Sequence, residues 1–337
     1  MIEDKSGKSW KQIFTELSDR INKNSGIIET EKIDYIIFGY DLKSDKKTKE
    51  KSSETYMKRV LINKDVRNEV KNQFLNNLNY LTKENVEFIN WGSASDIPKG
   101  SVEIANIEII DKSLRSILLN PYTDSQVIME DLDLWKHVGL LTIIKLDNKE
   151  AEQSGCDKVI GINSLTRTKI ATKKKRGVVI KKDGVLQYIS DVRLFTLSEL
   201  YDAILICDTL LIIHDNNFYK LFVLNEYFKA FFENNKNTIS NYIQDPKILY
   251  DKISGDIKKE KKLISIVNNV LSKNPDPSKY EELYEKYKDK LDKIVFSNHK
   301  IDVNESDLNA VLGLLHLDYD EDPMFGSHRR VLPRYGR

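Results

Sequence analysis

The texture of residues 138–223 constrains this chain more than any other feature: short β-branched and aromatic runs follow one another with polar punctuation between them. Runs at 138–146, 158–171, 177–181, 185–189, 203–213 and 218–223 read as strands. Asp183-Gly184 lies between two of them and is a hairpin signal, because both residues tolerate the positive φ of a tight turn. Asp215-Asn216-Asn217 reads as a second such signal. An antiparallel β unit is the economical reading. Asn225 then stands where it would cap a helix whose Phe228, Phe231 and Phe232 lie on one side, the arrangement by which a helix covers a sheet.

Helical spacing flanks this unit. Trp10, Ile13, Phe14, Leu17 and Ile21 predict a helix over 10–23 with Ser9 as N-cap, and Val66, Val70, Phe74, Leu78 and Leu81 predict another over 65–81. Between them, 33–40 and 56–62 read as strands, and the polar, lysine-rich stretch 43–54 reads as an exposed loop. A strand is expected over 102–110, after the turn signal Pro98-Lys99-Gly100. Residues 237–295 read as helical throughout, as two antiparallel helices broken at Asn274-Pro275-Asp276-Pro277, and 306–315 as a short last helix. The expected fold class is therefore α+β: a mixed N-terminal α/β region over 1–135, a mostly antiparallel β unit with a covering helix over 136–235, a helical hairpin over 236–296, and a C-terminal helix with a basic tail over 297–337.

At 337 residues with 40% hydrophobic and 31% charged, the chain can bury a sizeable core and keep a well-solvated surface. The two cysteines, Cys156 and Cys207, are too few for a disulfide framework or a four-thiolate zinc site, so a reducing cytoplasm is the expected setting. The longest nearly apolar run, 203–213, is far shorter than the ~20 residues a membrane span needs. Formal net charge is only +1, so attraction to a polyanion must come from local clustering.

Such a cluster exists. Arg167, Lys169, Lys173, Lys174, Lys175, Arg176, Lys181 and Lys182 follow one another with no acidic residue among them. Spread over a strand end, a turn and the next strand, they can neutralise several phosphates without reading sequence, so DNA is the expected partner. A solvated, aggregation-resistant sheet edge is the alternative. Arg329, Arg330 and Arg334 form a second, weaker candidate contact. Catalytic signals are sparse. Glu103, Glu108 and Asp111 are the candidate carboxylates for a metal-dependent nuclease. His137, His214, His299, His316 and His328 lack the i, i+4 spacing of zinc enzymes, and no phosphate-binding glycine loop is present. No metal site, cofactor or catalytic residue is assigned. A scaffold docking on anionic membrane or an acidic protein remains a further alternative.

Gly184-Val185-Leu186-Gln187-Tyr188, then Phe195 with Leu200-Tyr201-Asp202-Ala203-Ile204-Leu205-Ile206, then Leu210-Leu211-Ile212-Ile213, Phe218 and Phe228 resemble the KwaB-like proteins of bacterial Kiwa antiphage defence. Asp307-Leu308, Leu312, Leu315, Asp318-Tyr319 and the arginines from Arg329 onward resemble that family's C-terminal stretch. Asp322-Pro323-Met324-Phe325 and Val331-Leu332-Pro333 depart from it. The resemblance covers a little over half of the chain. It implies a soluble protein that associates with itself as a dimer, binds DNA, and works with a small transmembrane KwaA-like partner to restrain phage replication, from the cytoplasm or the inner face of the membrane. The family offers no catalytic motif to carry over.

Overall fold

The computed structural model describes residues 9–23, 33–44, 51–60, 64–93, 98, 100–121, 137–145, 158–165, 170–171, 178–182, 185–189, 194–195, 198–222, 224–288 and 292–317. The fold is mixed α+β, with helices concentrated in the C-terminal half. It divides into two compact units, one of Met1–Phe88 with Gly100–Val223, the other of Ile89–Lys99 with Leu224–Arg337. The division does not fall at the expected 135/136, because strands from both sides of that point join one sheet.

That sheet belongs to the first unit. Its strands are β1 (Ile33–Ser44), β2 (Lys51–Val60), β4 (Val102–Asn106), β5 (His137–Lys145), β6 (Lys158–Leu165), β11 (Ala203–Ile206) and β12 (Thr209–Ile212), in the spatial order β2-β1-β5-β6-β11-β12-β4, with the short β3 (Phe88–Asn90) beside β4. Every pairing from β2 to β4 is antiparallel. Alternation along the strands sorts side chains between two faces. Ile37, Leu140, Ile144, Val159, Ile204 and Leu211 join a core with Trp10 and Phe14 of α1 (Trp10–Lys23) and Val70, Phe74 and Leu78 of α2 (Lys64–Leu81). Helix α1 begins as its sequence predicts: Ser9 N–H donates to Gln12 Oε1 at 2.9 Å while Gln12 N–H donates to Ser9 Oγ at 3.3 Å. Phe38, on the opposite face, meets Phe222 at a ring distance of 5.9 Å.

Four expectations fail here for physical reasons. The stretch 43–54 is not a loop throughout, because β1 and β2 stay in register down to Ser44 opposite Lys51; once the hairpin is nucleated, backbone pairing carries polar residues with it. The run 203–213 is not one strand. It folds back at Cys207 and Asp208 into β11 and β12, with Cys207 at φ 54°. The expected hairpin at Asp215-Asn216-Asn217 and strand at 218–223 are together a helix, α4 (Asp215–Leu221), whose Phe218 and Leu221 are buried; Asp and Asn serve a helix start as well as a turn. The strand expected over 102–110 stops at Asn106, whose side chain accepts the Glu108 N–H and opens a 3-10 turn over Ile107–Ile109. Helix α3 (Lys112–Leu119) follows, in a stretch whose sequence left no clear reading. Cys207 is disulfide-bonded, which removes the cysteine count as an argument for a reducing compartment.

The second unit is helical: α5 (Asn225–Ser240), α6 (Pro246–Ile253), α7 (Ile257–Asn269), α8 (Ser278–Tyr287) and α9 (Leu308–His316), with a two-stranded hairpin of β13 (Phe296–Ser297) and β14 (Lys300–Ile301). Asn225 is the first helical residue of α5, and Leu224 holds the cap position. Phe228 and Phe232, expected to cover the β unit, pack with Leu249, Leu263, Leu283 and Leu314 in this unit's own core, so α5 is a helix of the bundle. In place of two helices over 237–295, the described residues form three after α5. Asp245 and Asp256 cap α6 and α7 by accepting the N–H groups of Lys247 at 2.9 Å and Lys259 at 3.3 Å, and Gly255 breaks the chain between them at φ 89°. Asp307 does the same for α9, accepting Ala310 N–H at 2.8 Å.

Candidate functional site

Between β6 and β11 the chain leaves the sheet and returns. Within this excursion β7 (Ile170–Ala171) pairs with β10 (Leu194–Phe195), and β8 (Val178–Lys182) pairs with β9 (Val185–Ile189), both antiparallel. The pairings are nested: the outer one joins Ile170 to Phe195, the inner one Lys182 to Val185 across the Asp183-Gly184 turn. The excursion is thus one interrupted hairpin, and neither pair is part of the eight-stranded sheet. The two-residue spacing that predicts a hairpin at Asp183-Gly184 is matched by the register.

The root of this hairpin is built from buried polar groups. Segment 198–202 returns to the sheet without strand pairing, so its backbone groups need other partners. Gln73 Nε2 on α2 donates to Ser198 O at 2.5 Å, Asn163 Nδ2 on β6 donates to Leu200 O at 3.2 Å, and Tyr201 N–H donates to Asn77 Oδ1 at 2.8 Å. The Tyr201 ring lies over Gly161, where a Cβ would stand 2.4 Å from it. Asp202, only 1% exposed, then ties both feet of the hairpin to α4. Its Oδ2 accepts the Ser164 N–H at 2.6 Å, and its Oδ1 accepts Asn217 Nδ2 at 2.9 Å and lies 3.3 Å from His214 Nδ1. Its own carbonyl accepts the N–H groups of Ile213 and His214, each at 2.9 Å. A carboxylate taken out of water is tolerable only with such a set of donors.

Of the basic residues named from sequence, Lys181 and Lys182 stand at adjacent positions at the end of β8. Arg167, Lys169, Lys173, Lys174, Lys175, Arg176, Arg329, Arg330 and Arg334 lie outside the described residues. In chain order two cations of the run precede β7, four come between β7 and β8, and two belong to β8. In the sequence from Val185 to Phe195 the charged residues are Asp191 and Arg193.

The three candidate nuclease carboxylates do not form a centre. Glu103 is 1% exposed and accepts the Tyr219 hydroxyl at 3.1 Å, Glu108 sits in the 3-10 turn, and Asp111 holds the cap position of α3. Among the described residues no three His, Cys, Asp or Glu side chains come together as a metal site would require. Ser265 Oγ lies 3.3 Å from His316 Nε2, but Ser265 is fully buried and serves with Asn269 to hold Ser93 O, so no substrate reaches it. His299 Nδ1 pairs with Glu281 Oε2 at 2.7 Å on the surface of the helical unit. No helix among the described residues is long and apolar enough to cross a membrane. Comparison with models of known families, with curated proteins and with solved structures finds no match for this chain.

Sequence reasoning missed Gln73, Asn77, Asn163 and Asp202. A signal for them existed: each is an amide or carboxylate set inside an otherwise apolar helix stripe or strand run, where a polar side chain needs a fixed partner.

Proposed function

We propose that this chain is a DNA-binding effector of antiphage defence, of the KwaB-like kind its sequence resembles, and that it grips the phosphate backbone without reading base sequence. One observation carries the reading. β8 pairs with β9 as an antiparallel ribbon outside the main sheet, and Lys181 and Lys182, the last two cations of the acid-free run, stand at the end of β8. A two-stranded ribbon is among the few elements that enter a DNA major groove, and lysine and arginine along it neutralise phosphates whatever the bases. Arg329, Arg330 and Arg334 supply a second contact in this reading. The resemblance adds the rest: self-association as a dimer, work in the cytoplasm, recruitment to the inner membrane face by a small transmembrane KwaA-like partner, and restraint of phage replication.

The test is fluorescence anisotropy with two labelled duplexes of unrelated sequence at low salt. Wild-type protein is expected to bind both equally. Replacing Lys173, Lys174, Lys175, Arg176, Lys181 and Lys182 by glutamate is expected to abolish binding while circular dichroism stays unchanged. Retained binding in that variant removes the ribbon from the reading, and steady cleavage of plasmid by pure protein with Mg²⁺ replaces it with a nuclease.

A further inference from the structure

Cys207 stands apart from the DNA-binding reading: it is exposed and disulfide-bonded. The chain holds one other cysteine, Cys156, two positions ahead of β6 in the sequence. Strands β6 and β11 pair with Val159 opposite Ile206, so Cys207 and Lys158, the first residue of β6, stand at the same end of the sheet. Cys207 also occupies an uncommon backbone position. It is the first of the two residues that join β11 to β12, and its φ is 54°. Glycine is the usual occupant of such a turn position, and asparagine tolerates it. Cysteine gains nothing from the turn itself, so the sulfur bond accounts for the choice of residue.

We infer that Cys156 and Cys207 form a reversible disulfide, a redox-sensitive lock on β6 and β11 whose reductant is a dithiol. An exposed disulfide is open to thiolate attack and is more oxidising than a protected structural one, and in a reducing compartment such bonds are transient and redox-sensing. One thiolate of the dithiol attacks the exposed Cys207 sulfur; the S–S bond breaks, and Cys156 leaves as a thiolate that takes up a proton. The second thiolate attacks the reductant's own sulfur in the mixed disulfide and releases Cys207, which is protonated in turn. Two electrons pass to the chain, and the dithiol becomes a disulfide. The lock closes a ring from 156 to 207 that includes the whole excursion from β7 to β10. A crosslink across so long a loop restricts the opened chain far more than the folded one. Asp202, through Ser164 N–H and Asn217 Nδ2, braces the other end of the same two strands. Strand β11 is only four residues long, so reduction leaves a short strand without its covalent clamp. Oxidation therefore makes local opening at β11 rarer, and reduction makes it more frequent.

The experiment uses full-length protein equilibrated with oxidised glutathione or with dithiothreitol as the dithiol probe. After oxidised glutathione the folded protein is expected to resist alkylation by iodoacetamide, with the peptides holding Cys156 and Cys207 joined within one chain. Dithiothreitol without denaturant is expected to release both thiols while circular dichroism stays unchanged, and to speed amide exchange over 203–212 on the order of tenfold. Cys156→Ser, which leaves the turn residue in place, is expected to exchange at the reduced rate in either buffer; should it fail to fold, wild type in the two buffers decides. Four results overturn the inference: peptides joined between two chains, thiols that stay alkylatable after oxidation, a bond that dithiothreitol leaves intact until the protein unfolds, or equal exchange in both states.

Discussion

At the residue scale, close approach and buried amides govern the first unit. Gly161 gives up a side chain so that the Tyr201 ring can lie on β6, and Gly139 does the same for Phe38, whose ring atoms would stand 2.3 Å from an added Cβ. Both neighbours are fully buried aromatics with no room to swing aside. Gly161→Ala is therefore expected to destabilise the protein by about 1–3 kcal/mol, read as a lower urea midpoint. Asn77 makes a different kind of contribution. It is fully buried, donates to Gln73 O at 2.7 Å and accepts the Tyr201 N–H at 2.8 Å. Asn77→Ala leaves a buried N–H without an acceptor and is expected to cost about 1–3 kcal/mol; an unchanged urea midpoint would show that this bond does not hold the hairpin root. Neither effect is visible in the sequence, where Gly161 reads as a weak spot in a strand and Asn77 as a polar residue on a helix. Each gains its meaning from a partner 40 or 124 positions away.

At the element scale, sequence reasoning succeeded where one periodicity ran unbroken. The helices over 10–23 and 64–81 and the strands near 138–146 and 185–189 form close to the predicted bounds, because their apolar spacing fits one geometry only. It failed where composition fits two geometries. The Asp-Asn-Asn cluster at 215–217 opens a helix, which brings the Phe218 ring to 4.9 Å from that of Phe222, itself in contact with Phe38. The run over 203–213 becomes two strands, because β12 is held from its other side by β4, a partner over 100 residues upstream. In the helical unit, Tyr242 shows how packing sets titration. Burial, with the negative charge of Asp276 as a second cause, raises its phenol above the usual value, and its hydroxyl donates to Pro275 O at 2.9 Å. The folded chain therefore holds this proton where the unfolded chain releases it, so stability is intact below about pH 10 and falls as pH rises beyond. Tyr242→Phe is expected to be less stable than wild type by about 1 kcal/mol at pH 8 through the lost hydrogen bond. The gap is expected to narrow above pH 10, as paired urea titrations at pH 8 and 10.5 would report. A gap that stays constant would rule out the buried phenol as its source.

At the scale of the whole molecule, charge is nearly balanced at +1, so a long-range field gives no bias and any grip on DNA is local. That makes salt the decisive variable. Six to eight phosphate contacts from the ribbon imply an affinity loss on the order of 10³ to 10⁴ between about 50 and 200 mM salt. A loss nearer threefold would point to one or two contacts and away from the ribbon as a unit. The sequence alone determined the fold class, the acid-free cation run and the Asp183-Gly184 turn, because composition and short-range spacing are local quantities that need no partner to act. Tertiary structure decided the rest. It drew the sheet from both sides of the expected domain boundary, and it set the β7–β10 and β8–β9 pairs apart from that sheet. It also chose which polar residues would be buried to anchor that hairpin. Those outcomes depend on which distant backbone groups remain unsatisfied once the sheet has closed, and only the assembled chain can supply their partners.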